Sequence, residues 1–486
     1  MKKLSLLILL ILVTLSSCER IDYGDLNKDP FGVTNPNSDA FLRGAMMNYF
    51  TVSGRNYLTK PALYCQYQSQ TQYTDEQRYN EAPGSWSAYY RSSLAPLKTV
   101  IETSVDTRGN TANLNATAQM MYAVVFKRIT DTFGDIPYTD ALQGGDNPNP
   151  VYDKQEDIYH DLISKVKEAR DMFDDNAFTL DANTDLVYQG DINKWRKFAN
   201  SMIMSMAIQL SNKYPSASDF AATAFNEALN NSFGIMESVS DDAIYTPDTS
   251  GSSATDYDFS NPWSQLRPAD YRMSDEFTDS LQGETVVDPE NRNRTSNHTY
   301  DNRLNFMVND PTMDGLPYGY ATYADYTAAQ MNINLRSPGS PVKIFSSAYT
   351  YLNRAEAALL GWTSEDANQM LRNGIENSFM SWGATGGNSY ATARLADATT
   401  EGLAKVIGEE KWVALYPSGF DAWAEQRRTG YPELLPSPDP FNNGTIPGRI
   451  PYPDDESASN PTNYNIGVQG LTPPEDKNSS KVWWDN

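Results

Sequence analysis

FSSAYTYLNRAEAALLGWTSEDANQMLRNGIENSFMSW, residues 345–382, reads as two helices joined by a tight turn. Ala355, Ala357 and Ala358 fall in the first, Gly361 supplies the turn, and Ala367, Leu371 and Ile375 recur at helical spacing in the second. Small side chains at the crossing allow the two backbones to approach closely. Ser364 and Asp366 stand where the second helix begins, and their oxygens suit the amides that a first turn leaves unpaired.

Similar segments lie upstream. NATAQMMYAVVFKRITDTF (115–133) places Met121, Val124, Val125 and Ile129 on one buried stripe, and GDIPYTD ends it. QEDIYHDLISKVKEARDMF (155–173) repeats the pattern with Ile158, Leu162, Ile163 and Val166, its acidic residues in the first turn, where the helix dipole favours them. In 191–214, Trp195, Phe198, Met202, Met206 and Leu210 form an aromatic and methionine stripe that belongs in a core. The pairs 115–133 with 155–173, 191–214 with 217–230, and the 345–382 hairpin resemble tetratricopeptide units. Their irregular period embeds them in something larger than a plain repeat array.

Residues 233–343 differ in composition. Clusters of Gly, Pro, Ser, Asn and Asp are interrupted by one evident helix, around MSDEFTDSLQ (273–282). Tyr245, Tyr257, Phe259, Trp263, Tyr271, Tyr318, Tyr320 and Tyr323 lie in this stretch, and such a density of aromatics predicts ordered, packed loops suited to binding.

At the N-terminus, Lys2 and Lys3 precede an apolar run, Leu4 to Val13, shaped like a secretory signal and too short to span a bilayer. Leu15-Ser16-Ser17-Cys18 resembles a bacterial lipobox, so residues 1–17 read as a lipoprotein signal peptide and Cys18 as the lipidated residue. Acylation there would anchor the protein to a membrane. It would also leave Cys65 without an intrachain partner. A formal charge of -24 excludes nucleic acid as a partner and favours neutral ligands.

GDIPYTDAL (134–142), WRKFANSMIMSMAIQL (195–210), YLNRAEAALLGW (351–362), EEKWVALYPSGFDAWAEQRRTGYPEL (409–434) and RIPYPDDESASNP (449–461), with DLNKDP (25–30) near the lipobox, resemble the SusD/RagB family of surface nutrient-binding lipoproteins. The resemblance implies a mostly α protein, a right-handed superhelix of tetratricopeptide-like helix pairs with a loop-rich second subdomain packed against it. On that layout residues 18–486 are one domain. Its scaffold occupies about 38–232 and 344–417, its ligand-specificity region about 233–343, and its C-terminal loop segment 430–486. The resemblance also implies that the protein is a lid over a SusC-like, TonB-dependent transporter in the outer membrane, facing the cell exterior and capturing oligosaccharides or, in a RagA-like system, peptides. In DPENRNRTSNHTYDNRLNF (288–306) the chain departs from the family, an insertion separating Asp288-Pro289 from Asn302-Arg303-Leu304.

Sugars present apolar C–H faces and a ring of hydroxyls, so their sites combine aromatic platforms with amide, carboxylate or guanidinium groups. Two segments have that chemistry: 70–91, with Tyr73, Asp75, Arg78, Tyr79 and Trp86, and 256–272, with Tyr257, Trp263 and Tyr271. Trp86 opens a helix and suits a core position equally well. Trp263 and Tyr79 are expected to form a stacking platform. Before FDAWAEQRRTGYP (420–432), Trp412, Leu415 and Tyr416 lie on helical spacing; Gly419 is expected to break that helix, and Phe420, Trp423 and Ala424 start a second short apolar face. Arg427 and Arg428 point about 100° apart on a helix, so they read as structural, tying RIPYP to the helical frame rather than gripping one ligand.

Rival readings find less support. Asp181, Asn183 and Asp185 are spaced like the start of a calcium loop, but Leu186 and Ile192 replace its glycine and glutamate. No motif calls for a cofactor or a catalytic metal, and His160 and His298 have no ligand partners in the sequence. A glycosidase needs only two carboxylates, and a scaffold that docks a protein needs only the helical groove. Neither accounts for anchor, loops and motifs together, so a non-enzymatic binding role is expected.

Overall fold

The computed structural model describes residues 37–103, 109–248, 260–284 and 299–485. Cys18 and the signal before it, DLNKDP, Tyr257 and His298 lie outside them. The protein is mostly α-helical. Its N-terminal helices are α1 (Ser38–Thr51), α2 (Lys60–Tyr64), α3 (Ala95–Glu102), α4 (Ala112–Phe133) and α5 (Gln155–Met172). They are followed by α6 (Ile192–Gln209), α7 (Phe220–Leu229) and α8 (Asp275–Gln282). The sequence hairpin is α9 (Ser347–Leu359) and α10 (Ala367–Trp382), and α11 (Gly387–Glu401), α12 (Leu403–Leu415), α13 (Gly419–Thr429) and α14 (Pro461–Gln469) complete the α-helices of five or more residues among the described residues. Helices α4 and α5, α6 and α7, and α9 and α10 pack as pairs, as their stripes predict.

The α9–α10 crossing is close because Gly374 faces Leu352, where a Cβ would lie 2.8 Å from the leucine side chain. Asp366 caps α10 by accepting from the amides of Asn368 and Gln369. Helix α4 departs from the expected single stripe. It is buried around most of its circumference, Ala116, Met120, Ala123 and Phe126 included, because other elements pack on several sides of it.

Among the described residues, three two-stranded antiparallel ribbons staple the loops down: β1 (Gln68–Gln70) with β5 (Tyr271–Met273), β2 (Ile136–Pro137) with β3 (Tyr152–Asp153), and β4 (Ala243–Tyr245) with β6 (Val342–Phe345). The β4–β6 ribbon joins the two ends of the 233–343 region, so a long excursion begins and ends beside the helical frame. Two expected boundaries shift. The frame continues past 417 into α13, and the C-terminal segment carries α14 as well as loops.

The arginines of the RRTG motif are frame elements. The Arg427 guanidinium donates to the carbonyls of Gly448 (2.6 Å) and Asp131 (2.9 Å), joining α13 to α4 and to the start of RIPYP. It is sandwiched between Trp423 and Trp484, 3.8 and 4.6 Å from the ring centroids. Arg428 pairs with Glu356 and Glu425. Trp412 and Trp423 are buried and donate to the carbonyls of Cys65 and Pro447. The break before α13 comes from Pro417, which lies between α12 and α13; Gly419 is helical, and a Cβ there would sit 2.4 Å from the Ala62 amide nitrogen.

The calcium-like loop is closed by its own hydrogen bonds. The buried Asp185 carboxylate accepts from the amides of Val187 (3.0 Å), Tyr188 (3.1 Å) and Gly190 (2.8 Å) and from the Trp195 indole (2.8 Å). Asp185→Ala would orphan these donors, and we expect a loss of about 2–3 kcal/mol in urea unfolding, unaffected by added calcium. Among the described residues no group of His, Cys, Asp and Glu side chains is arranged to hold a metal.

Candidate functional site

A groove of about 640 Å³ opens where the 233–343 region meets the helical frame. Its lining comes from α1, the segment that follows it, the turns around 262, 306 and 334, strand β6, the end of α10 and the link into α13. Two of these turns are held by their own local chemistry. Asn261 caps the turn bearing Trp263 and ties it to the Ser340 carbonyl (3.0 Å). Arg303, buried between Asp301 and Glu410 and donating to Ser378, fixes the next turn, whose Phe306 ring is 40% exposed. The chain's departure at 288–306 therefore ends in a firmly anchored turn.

Phe306, Trp382 and Tyr57 offer aromatic surface to the groove, with Asn334 and Asn305 as amide-bearing groups nearby. Lys343, on β6, donates to Ser381 Oγ (2.8 Å), with its ammonium 4.6 Å from the centre of the Trp382 ring. Burial pulls that ammonium down to about 8, Asp242 opposing the fall and Arg303 adding to it. Arg128 lies deeper, 4.7 Å from the Tyr49 ring centre and 4.8 Å from that of Phe420. The combination can stack on the apolar face of a ring and hydrogen-bond to its edge.

The sequence candidates divide among several places. Trp263 lines the groove but is only 7% exposed, so it is wall rather than platform. Tyr271, half-buried in β5, lines a small cavity of about 30 Å³ that also touches Trp263. Tyr79 is fully buried, its hydroxyl accepting from the Ser437 amide (3.0 Å), which corrects the expected Trp263–Tyr79 platform. Trp86 is likewise core, packed edge-on against Phe133, Tyr152 and Tyr452. Its polar surroundings in sequence do not survive folding, because the RIPYP segment covers it.

Tyr73, Asp75 and Arg78 are at the surface but are not part of the groove lining. Tyr73 is 63% exposed and its backbone has φ 54°, a region sparsely occupied by residues with a side chain. Next to it, Thr74 donates to the Ala321 carbonyl (3.1 Å), setting this loop against the one bearing the edge-to-face run Tyr320, Tyr323 and Tyr326. Asp75 is taken up by Asn80 (2.6 Å) and Arg55 (3.4 Å), while Arg78 donates to the Asp439 carbonyl and lies over Phe441.

Phe306, Trp382, Tyr57 and Lys343 are groove residues that sequence reasoning missed. No short-range spacing links them, and only the aromatic richness of the 233–343 stretch pointed to the neighbourhood.

Residues 30–453 match the family model SusD-like_2, described as starch-binding and associating with the outer membrane. Solved structures share the fold. A chitin-binding SusD homologue from Flavobacterium johnsoniae is 22% identical with a TM-score of 0.75, over 93% of this chain and 99% of that one. A SusD homologue from Bacteroides uniformis is 23% identical, TM-score 0.75, over 93% and 100% of the two chains. A SusD-like protein from Bacteroides thetaiotaomicron is 22% identical, TM-score 0.75, over 92% and 98%. No curated protein matches the sequence.

Proposed function

The chain belongs to the SusD-like family of starch-binding, outer-membrane-associating proteins, and from that premise we propose that it captures oligosaccharides in the groove between its loop region and its helical frame. The family binds rather than cleaves, and the protein is a binding protein, not an enzyme. The observation that carries the groove assignment is the convergence of Phe306, Trp382 and Tyr57 with exposed amides on a cavity of about 640 Å³. That volume lies in the range of small-molecule sites, and the surfaces match the two kinds of surface that a sugar presents. We further propose that lipid on Cys18 holds the protein at the outer face of the outer membrane. There it would act as the lid of a SusC-like, TonB-dependent importer, passing the captured glycan on.

Phe306 is the residue on which to test the groove, because its ring is exposed and its removal leaves the core intact. Against a panel of neutral and acidic oligosaccharides, Phe306→Ala is expected to weaken whichever ligand the parent binds by at least about tenfold, near 1.4 kcal/mol. Its melting temperature should stay within about 2 °C of the parent's. Unchanged affinity by calorimetry would move the site elsewhere.

A further inference from the structure

The groove's charge is the opposite of the chain's. The sequence has 62 acidic residues against 38 basic ones, yet among the described residues those lining the groove include Arg128 and Lys343 and no carboxylate. On surfaces this acidic, a sizeable cleft without Asp or Glu is a local inversion of the field, and clefts with low-dielectric walls concentrate such fields.

Lys343 is the more telling of the two cations. An ammonium carries three donors, and its hydrogen bond among the described residues goes to the neutral Ser381 hydroxyl. A half-buried cation is costly unless an anion faces it. Among the described residues the carboxylate that acts on it is Asp242, and that carboxylate is already committed. It accepts from the Ser347 amide (2.8 Å) and hydroxyl (2.9 Å), and Ser381 Oγ stands between it and the lysine, 3.4 Å from its Oδ2. Arg303, on the same side, is neutralised by Asp301 and Glu410.

Carboxylates do lie behind the groove, in a side cavity of about 40 Å³, and both have partners. Asp421 accepts from Ser418 Oγ (2.6 Å) and sits 3.7 Å from Arg128. Asp131 is paired with Lys127 (2.8 Å) and bonded by Tyr159 and Trp484. Neither lines the groove itself, so the surface a ligand would meet is aromatic, amide and cationic.

Resting on the glycan-capture reading above, we propose that the groove is built for an acidic sugar, an oligosaccharide whose uronic-acid-type carboxylate is received by Lys343 while its ring stacks on the neighbouring aromatics. The whole-chain charge points toward neutral ligands; the local arrangement reverses that preference at the site of contact, because screening within about 8 Å at physiological salt leaves local charge in control.

The test is calorimetry with the intact protein and two probes, a uronic acid trisaccharide and the same trisaccharide with its carboxyls methyl-esterified. The acid is expected to bind at least tenfold more tightly, with a preference that shrinks as sodium chloride is raised. Lys343→Gln should abolish the preference and Lys343→Arg should retain it, and a melting curve for each confirms folding. Equal affinities for acid and ester, or a preference that survives Lys343→Gln, would overturn the acidic-sugar assignment and leave glycan capture standing. Binding of neither probe, nor of neutral oligosaccharides, would overturn both.

Discussion

Arg428→Ala should destabilise the protein by about 3–5 kcal/mol in urea unfolding while leaving ligand affinity of the folded protein within about twofold. The reason is a closed buried network. Arg428 meets Glu356 with both terminal nitrogens (2.5 and 2.8 Å) and Glu425 with one of them (2.5 Å), and Lys411 meets the same two carboxylates at 2.5 and 3.3 Å. The set ties α9, α12 and α13 together in a region where water cannot replace a missing partner. Removing Arg428 leaves two carboxylates and one ammonium, a net buried negative charge. Arg428→Lys should recover only part of the loss, since an ammonium cannot reproduce the two-pronged bond to Glu356.

The same network sets an acid limit. Burial alone would raise the Glu425 carboxyl, but the Arg428 guanidinium and the Lys411 ammonium outweigh it and hold it down at about 2. Its folded value is therefore below its unfolded value, near 4.3. A depressed carboxyl contributes stability that is present above the unfolded value and is lost as pH falls toward the folded one. The parent's melting temperature should fall between about pH 5 and pH 2, and the Arg428→Ala curve should be flatter there. An equally steep fall in the variant would remove this network as the acid-sensitive element.

Glu410→Ala is expected to cost a similar amount, about 3–5 kcal/mol, and to reach the groove as well. Glu410 is 1% exposed and accepts from Arg303 (2.7 Å) and Arg394 (3.0 Å), with the Tyr390 hydroxyl also on it (3.0 Å). Truncation leaves two guanidiniums in the core, with Asp301, Glu409 and Asp397 as their remaining countercharges. Arg303 directly precedes the turn Leu304–Met307 that presents Asn305 and Phe306. A loosened Arg303 therefore loosens the groove's exposed aromatic. The folded fraction of Glu410→Ala should bind its glycan several-fold more weakly, in contrast to Arg428→Ala, whose network does not touch that turn. Equal affinities in the two variants would separate Arg303 from the groove.

How much of this was legible depends on the range over which each property is set. The 345–382 hairpin declared itself because helical period, a turn glycine and a capping aspartate are all local. Arg427 and Arg428 read as structural from their divergent directions on one helix, but the partners they meet, the Gly448 carbonyl and Glu356, lie 21 and 72 residues away and carry no mark in the motif. Reading Gly419 as the breaker failed because a glycine's lack of a side chain serves two purposes. Here it serves close packing against α2.

Aromatic residues were the harder case. Tyr79 and Phe306 have similar polar neighbours in sequence, yet one is core and the other is exposed. Tyr79 is covered because a segment 358 residues away lays its Ser437 amide on the hydroxyl. Phe306 is open because none of the described residues covers it once Arg303 has fixed the turn. The sequence by itself determined the three helix pairs, the aromatic-rich region and the family, since these rest on spacing and motifs within one segment. Tertiary structure alone decided which rings face outward and which charges gather in the groove, because exposure and field at a point depend on every distant segment that folds against it.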